Sequence, residues 1–405
     1  MKFALSSALC LSLAGCVTPA PTPQLSSGWQ LPSPAALRSF KPEAIAVDAP
    51  YPVRQQQLAR DLLSLEGQPL LDSVLCPASL MQCMELVSSG ARGKTAAELA
   101  SALHTSPAQI LPDGIQYLSL SNQVGKSVEI VQAQRIYLRG RLNPAMDKAC
   151  EAFHTDVLPL PGLPQIDVWI KQATHGKITR CGISPGELEV AQLLCLQTLY
   201  LKAEWQTPFE PARSAPFTSG SQKRDVPTMV REGLLRYAED DALRVLELPY
   251  AGDRLVFDCL LPKAADGLEE VQAKLTRRQL DSLFKALRST RVEVALPRFH
   301  VSRTHDFIPY LKALGVQLAF RPGKADFSGL APGTFISVLR QQVVLDVTER
   351  GTEATAATVV LHASGTPPER VVFRADHPFL FLIRDRQSGI VFFCGRVVFP
   401  ESGQP

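Results

Sequence analysis

The sequence predicts an α+β fold, on three observations. Helix-type apolar spacing dominates the first half of the globular stretch, strand-type runs dominate the second, and no regular strand–helix alternation links them as a doubly wound sheet would require. Taken in order, VRQQQLARDLLSLEG places Leu58, Leu62 and Leu65 at helical spacing. PASLMQCMELVSSG reads as a second helix, closed by Gly90. KTAAELASALH reads as a third, with Thr95 in the N-cap position and Glu98 three residues on, a capping box. VEIVQAQRIYL alternates as a strand does, and QIDVWIKQATHGKI is helical and stops at Gly176. LLCLQTLYLKAEW is one long apolar strand of the kind found at the centre of a sheet. ALRVLELPY, RLVFDCLLP and RVEVALPRF then read as strands, THDFIPYLKALG as a helix, and TFISVL and QQVVLDVT as strands again. FLFLIRD and GIVFFCGRVVF close the chain as a pair joined by the turn RQSG.

Composition fits a large packed body. The chain has 405 residues, 45% of them hydrophobic, which is ample for a sizeable core. With 42 basic and 39 acidic residues and no Lys/Arg block, it lacks the basic stripe that a nucleic-acid partner needs. The start, MKFALSSALCLSLAGC, has one Lys, a short apolar run and small residues before a Cys. The run is too short to stay as a membrane span, so residues 1–15 read as a signal peptide. Leu13-Ala14-Gly15-Cys16 resembles the bacterial lipobox. That resemblance implies a lipid on Cys16, export across an inner membrane and anchoring on its periplasmic or cell-surface face. Residues 16–50 recur in Pro, carry few charges and read as an extended tether.

Outside the signal and its Cys16, the cysteines are Cys76, Cys83, Cys150, Cys181, Cys195, Cys259 and Cys394. Their number is odd, no CxxC occurs, and Cys195, Cys259 and Cys394 sit in apolar runs, so buried thiols are expected rather than a disulfide scaffold or a zinc site. GxSxG, HExxH, a Walker loop and GxGxxG are all missing. His300 and His305, five apart across a strand-to-helix junction, have poor spacing for a metal. The residues point to no enzyme, no cofactor and no metal.

Many separate motifs occur in one order: CPASLMQCMELVSSGARGKTAAEL, KAEWQTPF, VPTMV, LELPYAGDRLVFDCLLP, RVEVALPRF, DFIPYLKALGVQLAF, ADFSGL, VVLDVTERGTEATAAT and FRADHPFLFLIRDRQSGIVFFCGRVVFP. The series resembles the serpin family over residues 51–400. The resemblance implies one domain of three β-sheets and about nine helices, monomeric, with an exposed reactive-centre loop at about 349–370. It also implies a mechanism. A serine or cysteine protease attacks the loop and forms an acyl-enzyme, and the cleaved loop then inserts as a strand in the main sheet and traps it. The alternative is a serpin-fold binding or chaperone protein at the cell surface that does not inhibit.

The loop sequence suits insertion. No Pro occurs from Glu349 to Thr366, so nothing breaks a strand ladder. Alternation puts Thr352, Ala354, Ala356, Thr358 and Val360 on one face, all small or apolar, and leaves Glu353 on the other. Glu349 matches the family's hinge glutamate and Gly351 supplies a pivot. In the family the cleaved bond lies roughly seventeen residues along from that glutamate, which reaches Gly365. With a register slip of about two, the candidates are Ala363, Ser364, Gly365 and Thr366. Every candidate bond follows a small residue, which suits an elastase-like or subtilisin-like pocket rather than a trypsin-like one.

The resemblance also assigns residues that control sheet opening. Trp205 matches the family tryptophan where the loop first enters. Below it the family has Ser-Pro-x-Ser on a helix, an Asn on one strand and a His on another. Here those positions hold Cys76-Pro77-Ala78-Ser79, Gln197 and Gln341. A Gln–Gln pair can bridge two strands and has no group titrating near neutral pH, which predicts a pH-insensitive cluster.

Overall fold

The computed structural model describes residues 50–67, 71–110, 128–352 and 370–401. Cys16 with the signal and tether, and Ala354, Ala356, Thr358, Ala363, Ser364, Gly365 and Thr366 of the loop, lie outside the described residues. Nine α-helices and fifteen strands are present among those described.

The strands form two hydrogen-bonded sheets. One has six strands in the order β10 (Phe299–Asp306), β11 (Ile336–Thr348), β12 (Gly351–Thr352), β4 (Leu193–Glu204), β2 (Val128–Leu138), β3 (Val157–Pro159). The other has nine. Its order is β1 (Ser73–Leu75), β15 (Val391–Val397), β14 (Phe379–Asp385), β8 (Leu255–Pro262), β7 (Leu243–Pro249), β6 (Gln222–Glu239), β9 (Arg288–Pro297), β13 (Val371–Arg374), with β5 (Arg213–Ser219) beside β6. β6 is 18 residues long. It pairs with β5 along its first part, with β9 further on and with β7 at its end, so it joins the two ends of this sheet.

The core lies on both faces of β4. Helix α2 (Pro77–Ser89) has every residue but Ser89 buried, as a helix apolar all round must, because it runs between β15 on one side and β2 and β4 on the other. On the opposite face, helix α5 (Leu163–Ala173) lays Ile166, Trp169 and Ile170 against Leu194, Leu196 and Val338. Leu193 and Cys195 face the main core while Leu194 and Leu196 face α5. That two-sided burial is why the β4 sequence reads as an unbroken apolar run.

Several expectations need correction. Helix α3 (Gly93–Ala102) has Arg92 at its N-cap with no side-chain capping bond, so Thr95 and Glu98 form no capping box. Thr95 Oγ1 instead accepts the Asp326 N–H at 3.0 Å, and the Glu98 carboxylate accepts Gln317 and Leu318 N–H, each at 2.7 Å. Backbone donors of a distant, partly buried segment take these acceptors in place of the local cap. A capping box is found at Ser184 and Glu187, at the start of helix α6 (Pro185–Val190). Only Ile308–Ala313 of THDFIPYLKALG is helical, because Thr304 to Asp306 finish β10 against β11. TFISVL and QQVVLDVT merge into the single strand β11. The seven described cysteines are free, all buried except the half-buried Cys150.

Candidate functional site

The six-stranded sheet has a fork. β4 and β11 pair in parallel from Leu193 and Ile336 up to Tyr200 and Val344. Beyond that point they part, and β12 enters between them, antiparallel to both. Thr352 lies between Val347 and Ala203, and Gly351 between Thr348 and Glu204. The fit at Gly351 excludes any side chain: a Cβ there would stand 2.1 Å from the Ala203 carbonyl oxygen, and φ is +146°.

The described hinge residues are held in place, and so is the ring beside them. Trp205 is buried; its Nε1–H donates to Thr348 O at 2.9 Å and its backbone N–H to Arg350 O at 2.8 Å. Its ring stacks on Tyr250 at 4.4 Å and 9° and meets Phe209 and Phe257 edge-on, each at 5.9 Å. Glu349 accepts three times: its carbonyl from Phe209 N–H at 2.7 Å, Oε1 from Ala212 N–H at 3.1 Å, and Oε2 from Arg298 Nη2 at 3.2 Å. The Tyr250 hydroxyl meets Thr352 Oγ1 at 2.8 Å. Burial pushes the Tyr250 phenol well up, so it stays protonated. Sequence reading named Trp205, Glu349, Gly351 and Thr352 and missed Tyr250 and Arg298. Tyr250 is 102 residues from its partner and closes an ordinary apolar strand, so no local signal marks it.

Lower in the fork lies the polar cluster. Gln197 and Gln341 are Cα partners on β4 and β11, and both are buried. Gln341 Nε2 donates to Gln197 Oε1 at 2.8 Å and to Cys76 O at 3.0 Å, while its Oε1 accepts the Cys76 N–H at 2.8 Å. One carboxamide thus ties β11 to β4 and to the start of α2. Cys76 Sγ accepts the Ser79 N–H at 3.4 Å, so a thiol stands where the family cap has a hydroxyl. Burial pushes that thiol up to about 12. Ser79 contributes its backbone N–H, and its hydroxyl has no partner among the described residues.

The two carboxamides carry no group that titrates near neutral pH, but a titratable neighbour stands beside them. His305 on β10 is the Cα partner of Gln341 and is buried, with Nε2 2.9 Å from Val74 O and Nδ1 3.9 Å from the Glu66 carboxylate. Burial lowers its pKa, against the opposing pull of Glu66. A titratable ring thus stands one strand away from the silent pair.

A two-residue strand lodged between two parallel strands that otherwise pair directly defines the class of fold. The family profile described as "Serpin (serine protease inhibitor)" matches residues 56–400, and the chain belongs to the serpin family. A leukocyte elastase inhibitor from Equus caballus is 32% identical, across 83% of this chain and 95% of that protein. An uncharacterised serpin-like protein from Thermococcus kodakarensis is 31% identical, across 81% of this chain and 80% of that protein. Among solved structures, Serpin48 of Tenebrio molitor, a highly specific serpin, superposes with a TM-score of 0.76 at 26% identity, covering 88% of this chain and all of that one. Native tengpin, a thermophilic serpin, gives 0.79 at 23% identity over 90% of this chain and 98% of its own, a likeness of fold.

Proposed function

We propose that the protein is a suicide inhibitor of serine proteases, with cysteine proteases as a second target class, and that it traps the acyl-enzyme by drawing its cleaved loop into the six-stranded sheet. The observation that carries this reading is the seating of β12 between β4 and β11. In that register each further loop residue steps one residue back along both strands. Six residues beyond Thr352 is Thr358; six back from Val347 is Gln341, and six back from Ala203 is Gln197. Insertion therefore replaces the Gln197–Gln341 bond with a threonine between the two amides. Ten residues beyond Thr352 is His362, and ten back from Ala203 is Leu193, where β4 begins. The inserted strand ends there, and Ala363 to Thr366, the candidate cleavage positions, come just past the end of the sheet, where a linked protease emerges.

The energy is sufficient. Opening β4 from β11 gives up one ladder and insertion makes two, a gain of roughly ten backbone bonds at ~1 kcal/mol net each. A protease is stable by only about 5–15 kcal/mol, so a force of this size can distort its active site. Small residues before the candidate bonds, and a leukocyte elastase inhibitor among the relatives, support an elastase-like or subtilisin-like target. The lipobox-like Leu13 to Cys16 supports a lipid-anchored protein held off a bacterial membrane by residues 16–50.

Incubation with an elastase-type protease tests the reading. A covalent complex that survives denaturing electrophoresis is expected, with mass spectrometry placing the cut between Ala363 and Thr366. Quantitative release of cleaved protein without a stable complex defeats it.

A further inference from the structure

We propose that Tyr250 is a positioning residue for loop insertion: its hydroxyl holds Thr352 in the fork and so supplies the nucleus from which the inserted strand grows. The inference rests on the inhibitory reading and names a residue for its decisive step.

Tyr250 is fixed on the side of the fork that stays with β4. Its backbone bridges to Trp205, with Gln206 N–H donating to Pro249 O at 2.9 Å and Ala251 N–H to Glu204 O at 2.7 Å. Its ring is fully buried and stacked on Trp205. Thr352 is also fully buried, and Tyr250 supplies the hydroxyl that faces its own at 2.8 Å. Two hydroxyls buried together require each other, because a lone one keeps its full desolvation cost.

The consequence is kinetic. Ordering the first residues of a new strand costs about 1–2 kcal/mol of backbone entropy each before the ladder repays it. Here Gly351 and Thr352 are already paired on both sides. Once the loop is cut, insertion starts by elongation. Because Tyr250 is bound to the β4 side, the nucleus persists while β11 moves away. Its hydroxyl thus acts on the race between insertion and deacylation, and the first attack on the loop proceeds without it.

The test uses Tyr250→Phe, which keeps the ring and its stack, Thr352→Val, which keeps the shape, and the double variant. Amide exchange of the 351–352 segment in the uncleaved protein is expected to quicken about fivefold in each single variant, the factor of one buried hydrogen bond, with no further gain in the double. With protease, loop attack keeps its rate while the partition shifts about fivefold from covalent complex to released, cleaved protein. Unchanged exchange in both single variants overturns the seating. Changed exchange with an unchanged partition overturns the positioning role. If the parent forms no covalent complex, the inhibitory reading fails by itself. The insertion step is then read from subtilisin-nicked protein, as the rate at which it gains thermal stability, and an equal rate in parent and Tyr250→Phe overturns the proposal.

Discussion

Gly351 and Gln341 carry the site at the residue scale. Gly351→Ala brings a Cβ to 2.1 Å from Ala203 O at a φ of +146°, so the hinge must leave the fork or the strands must spread. A cost of about 1–3 kcal/mol is expected, seen as a lower urea midpoint. Gln341→Leu removes a carboxamide that makes three bonds and strands the Cys76 N–H and the Gln197 side chain in the core. That loss is expected to cost roughly 2–5 kcal/mol, measured the same way, and to speed sheet opening because the amide bond across the fork is gone. How much of this was legible varied by residue. Gln197, Gln341, Trp205 and Glu349 were found because their positions follow from a family pattern. Tyr250 and Arg298 were hidden because their roles exist only once distant strands meet. Ser79 was assigned a polar role, yet the bond it makes uses its backbone.

At the element scale, β10 and β11 are joined by pairs that carry two histidines of opposite pH behaviour. His300 Nδ1 lies 2.5 Å from Asp346 Oδ1 across the two strands, and that bond raises the ring above its ordinary 6.5 despite burial. A raised base stabilises fully below 6.5, and the contribution is lost as pH rises through the folded value. His305 is lowered by burial, so it contributes above 6.5 and the contribution is lost as pH falls toward its folded value. Urea midpoints between about pH 5 and 8 should therefore split. Relative to the parent, His305→Gln is expected to flatten the acid-side fall, and His300→Gln the decline on the alkaline side. An unaltered profile in His305→Gln rejects the idea that this ring titrates beside the fork. Legibility again followed physics. β4 was plain because burial on both faces leaves an apolar run, while β6 was missed because Gln222 to Asp225 at its start are exposed and polar and show no alternation. Thr95 and Glu98 satisfied a local rule and were taken by a distant segment.

The whole molecule is a sheet closed along its lower part by direct β4–β11 pairing and wedged open at its top by two residues of its own loop. α2 lies beneath that slot and α5 above it, so opening it moves packed layers on both faces. On the proposed function, opening the β4–β11 ladder and adding a strand would make two ladders where one stands, so cleavage of the loop is expected to raise stability. The fold class was legible because many motifs keep one order over residues 51–400. The fork was not legible, because a two-residue strand leaves no periodic signal.

The most direct test of strand acceptance is the melting temperature before and after the loop is cut by a protease that is not itself trapped. Insertion of the cut loop predicts a large upward shift, with Gln197 and Gln341 no longer bonded to each other. A nicked protein that melts at or below the temperature of the intact one would contradict the account.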